Sequence, residues 1–171
     1  MTPNIQDLLR SVENGSREDM WEAAKELSTL AADMASSLIS LLENAERAET
    51  RAAAAYVLGF GRFASARTAL EQILDDVGGD ASVRGHAAEA LAYIQNPESV
   101  DMLLRHIGDE NPGVTYWCTF ALGQIGNTRA IPALGRLADR AADRVYEGHS
   151  LRAEAFDAIA EINRRLESVL P

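Results

Sequence analysis

The chain has 171 residues, 47% hydrophobic and 25% charged, a composition that suits one globular domain or a short repeat array. Its 26 acidic residues against 16 basic ones give a net charge of −10, which disfavours phosphate backbones and favours a basic partner. The single cysteine, Cys118, excludes an internal disulfide framework and a multi-cysteine zinc site.

In chain order, Met1 to Asp7 lacks a basic stretch followed by an apolar run, so no secretory signal is expected. No later stretch approaches the ~18 uninterrupted apolar residues of a membrane span, and the expected location is cytoplasmic. Ile5 to Val12 reads as the second helix of a half-repeat, making residues 1–15 an N-terminal capping helix. From there apolar residues recur at helical spacing, and no run alternates with period two. The expected fold class is all-α.

Residues 16–140 carry an internal repeat. Ala23-Ala24-Lys25-Glu26-Leu27, Ala54-Ala55-Tyr56-Val57-Leu58, Ala87-Ala88-Glu89-Ala90-Leu91 and Cys118-Thr119-Phe120-Ala121-Leu122 align, with their leucines 31, 33 and 31 residues apart. A degenerate fifth copy is Ala155-Phe156-Asp157-Ala158-Ile159. A second marker follows each first one at a steady distance: its leading leucines, Leu38, Leu70, Leu103 and Leu134, are 32, 33 and 31 residues apart. Two markers keeping one period predict a repeating pair of helices. Gly59-Phe60-Gly61, Asn96-Pro97 and Gly126-Asn127 are read as turns between the first and second helix of a unit. Gly78-Gly79-Asp80 and Asn111-Pro112-Gly113 are read as joints between units. Residues 141–150 form a longer, looser joint, and 151–171 a polar C-terminal capping helix that shields the end of the stack.

Ser82-Val83-Arg84-Gly85-His86-Ala87-Ala88-Glu89-Ala90-Leu91, Val114 to Gly126 and Arg129 to Asp139 resemble short HEAT repeats of the kind named after phycobilin lyases. The resemblance spans about Arg47 to Asp139 and implies a right-handed α-solenoid of four to five two-helix units whose surfaces bind other proteins. Tetratricopeptide and ankyrin patterns fit less well. The resemblance further implies that Arg51, Arg84 and Arg152, which share one repeat position, join a ladder of bonds between units; the fourth copy has Thr115 there. Among HEAT-like enzymes, the deoxyhypusine hydroxylases carry His-Glu dipeptides before Ala-Ala, where this chain has Gly85-His86 and no His-Glu dipeptide anywhere.

The chemistry-bearing residues are sparse. His86, His106 and His149 fall in different units, and His86 with Glu89 at i and i+3 would need a second converging pair to bind a metal. Cys118 sits at a small, core-facing position. No phosphate loop or nucleophile elbow occurs, and acid pairs such as Asp75-Asp76 suit ion pairing, Asp76 towards Arg84, better than acid–base catalysis.

The positions flanking each Ala-Ala pair are expected to face outward, and they gather Tyr56, His86, Glu89, Tyr116, Trp117 and Phe120, with Phe60 and Tyr93 one turn on. Aromatic residues are 6% of the chain, so this is a concentration of interface-type anchors, unless the rings pack between helices or against residues 141–150. The partner-binding candidates are therefore Tyr56, His86, Glu89, Tyr93, Tyr116, Trp117 and Phe120. The opposite face, with Glu71, Asp75, Arg105, His106, Arg136 and Asp139 read as outward, is the concave side in many such arrays. The expected function is a non-enzymatic protein-binding module or scaffold, in its sharper form an acidic inhibitor or immunity-type protein for a basic partner. It is expected to need no cofactor or metal and to bind neither nucleic acid nor membrane; a homodimer through the aromatic patch is equally compatible. A phycobilin-lyase-like chromophore lyase or chaperone subunit is the enzymatic alternative.

Overall fold

The computed structural model describes residues 5–27, 34–141 and 144–168. The outermost residues of both capping segments and part of the 141–150 joint lie outside them. The described residues form ten α-helices: α1 (Ile5–Asn14), α2 (Arg17–Leu27), α3 (Ala35–Asn44), α4 (Ala48–Phe60), α5 (Arg67–Asp75), α6 (Ala81–Ile94), α7 (Val100–His106), α8 (Pro112–Ile125), α9 (Ile131–Arg140) and α10 (Leu151–Glu167). Helix starts follow the polar residues before them: Asp80 accepts from the Ser82 and Val83 amides, Asn111 from Gly113 and Val114, and Ser150 from Ala153.

The even-numbered helices α2, α4, α6, α8 and α10 lie side by side in one row, and the odd-numbered helices form a second, more sparsely touching row. The buried leucines between the rows (Leu27, Leu58, Leu91 and Leu122 from the first, Leu38, Leu70, Leu103 and Leu134 from the second) are the two markers of the repeat. The closest hairpins are α1–α2, α3–α4, α5–α6, α7–α8 and α9–α10, so the compact unit runs from each second helix to the next first helix. The sequence reading drew its unit boundaries half a repeat out of phase, because periodicity fixes spacing and leaves the choice of hairpin open.

Packing within the first row is close enough to need missing side chains. A Cβ on Gly59 would lie 2.5 Å from Ala90 Cα, and one on Gly123 would lie 3.2 Å from Ala158 Cα. Gly59 therefore belongs inside α4 as a contact residue, not to the turn assigned to it. Ala52 to Ala55, Ala87, Ala88 and Cys118 are all buried in the same layer.

Three arginines at one repeat position join neighbouring helices. Arg51 Nε donates to the Leu42 carbonyl at 2.8 Å, Arg84 Nε to Leu74 at 3.3 Å and Arg152 Nε to Ala138 at 3.0 Å. Each satisfies a carbonyl at or just before the end of the preceding helix, where no intrahelical partner remains. Thr115, in the same slot of α8, donates its hydroxyl to the Asp109 carbonyl at 2.9 Å and keeps the contact with a shorter arm. Arg84 also pairs with Asp109 in a buried site, not with Asp76 as the sequence suggested. On the second row, His106 is buried and its Nε2 lies 2.9 Å from Asp75, so it is not the outward residue it was expected to be.

The 141–150 joint holds the only β-strands among the described residues. Val145–Tyr146 (β1) pairs antiparallel with His149–Ser150 (β2). The turn between them has positive φ at both Glu147 (47°) and Gly148 (84°), the signature of a type I′ hairpin. Arg144 anchors its base to the Asp109 and Glu110 carbonyls at 2.9 and 3.1 Å. Where a loose joint was expected, residues 144–150 are a pinned ribbon on the end of α8. No helix among the described residues is long and apolar enough to cross a membrane.

The close approach makes a signed prediction. Gly59→Ala should cost about 1–3 kcal/mol because its Cβ meets Ala90 backbone, whereas Gly135→Ala, in open space within α9, should add about 0.5–1 kcal/mol. Urea unfolding of the two variants beside the parent checks both signs.

Candidate functional site

The large residues excluded from the first-row contacts accumulate on its outer surface. Tyr56 and Phe60 stack at 4.2 Å between ring centroids, Phe60 meets Tyr93 at 4.3 Å, and Tyr93 approaches Phe120 at 6.3 Å. Phe120 continues to Trp117 at 5.7 Å, and Trp117 to Tyr116 at 5.1 Å. Five of the seven predicted residues are thus consecutive or near neighbours in one aromatic ladder across α4, α6 and α8. Phe60 is exposed and the other rings are half-buried, so they are simultaneously packed against their neighbours and open to solvent. His86 and Glu89 project into the same region from α6.

Two contributors escaped the sequence reading. Trp21, on the degenerate α2, lies 5.5 Å from both the Tyr56 and His86 rings, reaching α6 across α4. Ala52 is the small residue beneath that crossing. Tyr146, on β1, packs 5.4 Å from Tyr116 and 6.5 Å from Trp117. A Cβ on Gly113 would lie 2.8 Å from the Tyr146 ring, and one on Gly85 3.2 Å from the Trp117 indole. The two glycines are what let those rings seat.

Together these side chains wall a pocket of about 360 Å³ lined by Trp21, Glu49, Ala52, Tyr56, Ser82, His86, Glu89, Trp117, Tyr146 and Glu147. A neighbouring cleft of about 260 Å³ shares Ser82, Trp117, Tyr146 and Glu147 with it. The lining carries three carboxylates and no Arg or Lys.

Glu89 departs furthest from expectation. Read as outward, it is 8% exposed. It makes no hydrogen bond or ion pair with any described residue, and no fully buried polar side-chain atom lacks a partner. Its carboxyl oxygens must therefore keep a sliver of exposure, and the pocket supplies it. Burial pushes its pKa up to about 7. The same carboxylate contributes to raising the tyrosines around it: burial acts first on Tyr56, Tyr93 and Tyr146, with the Glu89 charge adding in each case. Tyr116 is raised to about 12 by burial first, then by the charge of the nearby Glu154, with Glu89 a lesser cause. Burial lowers the His86 pKa; its Nδ1–H donates to the Ser82 carbonyl at 2.8 Å, which leaves Nε2 as the acceptor.

Elsewhere the chemistry is quiet. Cys118 is fully buried, and burial pushes its thiol pKa far up, which suits a core residue. Among the described residues no three His, Cys, Asp or Glu side chains converge as a metal-binding group. His149 is exposed beside Tyr116, at 5.5 Å between ring centroids, and His106 belongs to the other row.

A sequence profile of HEAT repeats matches residues 68–153, just over half the chain, and the protein belongs to the HEAT-repeat family. The phycobilin-lyase type of repeat is not distinguished by it. A deoxyhypusine hydroxylase-B of Oryza sativa subsp. japonica is 32% identical over 125 residues, 71% of this chain and 41% of that protein. The chain thus spans less than half the length of that curated relative. Among solved structures, an engineered protein studied by the Northeast Structural Genomics Consortium superposes with a TM-score of 0.57 at 22% identity, covering 94% of this chain and 79% of its own; the likeness is one of fold.

The buried carboxylate sets a pH dependence of stability. Glu89 has a folded-state pKa of about 7 against an ordinary 4.5, so the folded form holds the proton more tightly between those values. Its contribution to stability is complete below pH 4.5 and lost as pH rises through 7. Glu89→Gln should therefore exceed the parent in stability at pH 8, by on the order of 2 kcal/mol, and the gap should close near pH 5. Urea midpoints at the two pH values measure it.

Proposed function

We propose that the chain is a non-enzymatic interaction module that grips a partner protein on the open face of its even-numbered helices. The aromatic ladder across α4, α6 and α8, flanked by Trp21 and Tyr146, carries this reading. Large rings held in fixed register present apolar area at little entropic cost, which is what an interface core requires. The candidate contact residues are Tyr56, His86, Glu89, Tyr93, Tyr116, Trp117 and Phe120, now joined by Trp21 and Tyr146. The net charge of −10 and the acidic pocket lining favour a basic partner, and an inhibitor of such a partner is the sharper form of the proposal.

The relation to a deoxyhypusine hydroxylase raises an enzymatic reading. Against it stand Gly85-His86 and Tyr116-Trp117 at the positions before the repeat's Ala-Ala-type pairs, with no convergent set of ligands among the described residues. These residues suit packing and recognition better than redox or hydrolytic chemistry.

Affinity capture from a lysate of the source organism tests the proposal, with Trp117→Ala compared against Arg136→Glu on the opposite row, both verified for an unchanged melting temperature. A partner retained by the parent and Arg136→Glu, and reduced at least tenfold by Trp117→Ala, is the expected result. Raising the salt concentration should weaken capture further if the partner is basic. Equal capture by parent and Trp117→Ala refutes the assignment of this face.

A further inference from the structure

We infer that the Glu89 pocket is a receptor for a single cationic side chain, an arginine of the partner, which enters between Trp21 and Trp117 and pairs with Glu89. The inference deepens the interaction reading by naming what fills the pocket.

Its first support is that carboxylate without a partner. A buried charge is ordinarily paired, as Arg84 and Asp109 are elsewhere in this stack, because an unpaired one carries the full cost of desolvation. Glu89 is 8% exposed, opens on the pocket and has no cation among the described residues. A guest that supplies the cation relieves this cost.

The second support is what surrounds it. Trp21, Tyr56, Trp117 and Tyr146 all line the cavity, and aromatic faces attract cations within about 6 Å through their quadrupoles, most strongly when water is excluded. Glu49 on α4 and Glu147 on the β-turn stand at the same pocket and add negative potential. At about 360 Å³ the cavity admits one long side chain and not a folded segment. Guanidinium suits this lining better than ammonium, because its plane stacks on rings while its edge meets a carboxylate in two parallel bonds.

Charge also makes the binding pH-dependent. The groups facing Glu89 are Glu49 and Tyr56 from α4, His86 and Tyr93 from α6, Tyr116 from α8, and Tyr146 with Glu147 from the ribbon. The tyrosines are raised and stay neutral, and His86 titrates below its ordinary value of 6.5. Glu89, at about 7, is therefore the group whose ionisation changes first as pH falls from 8. An entering cation favours its charged form, so affinity falls and protons are released on binding as the pH is lowered through that value.

The test uses the two tryptophans of the chain, both of which line the pocket. Their indole N–H resonances are followed by NMR during titration of the full chain with acetyl-Gly-Arg-Gly-amide, at pH 8.0 and 5.5. The same titration is run with peptides carrying citrulline, lysine or trimethyllysine at the central position. Saturable movement of both indole signals by the arginine peptide in roughly the millimolar range, as a single anchored side chain provides, is the expected outcome. Citrulline, the neutral isostere, should bind at least tenfold more weakly, as should the arginine peptide to Glu89→Gln, which must first be shown to be folded. The pH dependence should be lost in that variant, which separates Glu89 from His86. Equal binding of arginine and citrulline, no saturable movement, or an unaffected Glu89→Gln overturns the inference, and tighter binding of lysine or trimethyllysine overturns the choice of arginine. Loss of partner capture in Trp117→Ala with no response to the arginine peptide would keep the interaction face and reject this occupant. The reverse pattern would keep the cation site and reject the interaction face.

Discussion

The approach of Gly59 on α4 to Ala90 on α6, repeated by Gly123 and Ala158 between α8 and α10, governs the rest of the molecule. Helices that meet backbone to backbone leave no room between them for a long side chain, so alanine, glycine and Cys118 occupy the contact. Every large residue of the row is then directed either inward, between the two rows, or onto the open face. Leucines take the first position and aromatic residues the second. Trp21 on α2 meets His86 on α6, with Ala52 of the intervening α4 lining the same pocket.

Close packing of one row does not set the register between rows. That is done by side chains bonded to the carbonyls at the ends of helices. Arg51, Arg84 and Arg152 each direct Nε at such a carbonyl, and Thr115 reaches the Asp109 carbonyl in the loop after α7 with its hydroxyl. The fourth copy is instructive because the guanidinium of a neighbouring copy, Arg84, and Arg144 from the ribbon base both converge on Asp109. An arginine in place of Thr115 would add a third cation to one acidic loop. The departure from the repeat pattern thus belongs to the point where the ribbon is attached, and the ribbon is what carries Tyr146 over Tyr116 and Trp117.

Much of this fold was legible in the spacing of leucines, because a two-helix repeat must bury one stripe per helix and the stripes recur at the period of the stack. The phase was not legible, since both hairpin choices obey the same spacing. Gly59 misled because glycine near a helix end resembles a turn, and only the neighbouring helix reveals it as a contact. At the site, the rings of α4, α6 and α8 could be found from their places beside the Ala-Ala pairs. Trp21 was hidden by the weak match of the first copy, and Tyr146 by lying outside the period altogether, where Glu147-Gly148 lacks the Asn-Gly or Asp-Gly pair that marks a two-residue hairpin. The burial of Glu89 could not be read from α6 alone, because it is created by rings from α4, α8 and the ribbon closing around a position that an isolated helix would expose.

Two buried acids in one stack separate structure from recognition. Asp109 lies in the layer between helices, meets Arg84 and closes an account that is internal to the fold. Glu89 lies on the open face, meets only rings and a pocket, and raises the energy of the free protein at neutral pH. A chain selected for stability alone would place glutamine or leucine there and lose nothing that the fold needs. Unrelieved cost at a site otherwise rich in rigid aromatic anchors points outward, to a guest whose charge completes it. The acidic character of the whole surface then acts at a distance, by drawing a basic partner in, while Glu89 acts at contact, by deciding which group of that partner is accepted.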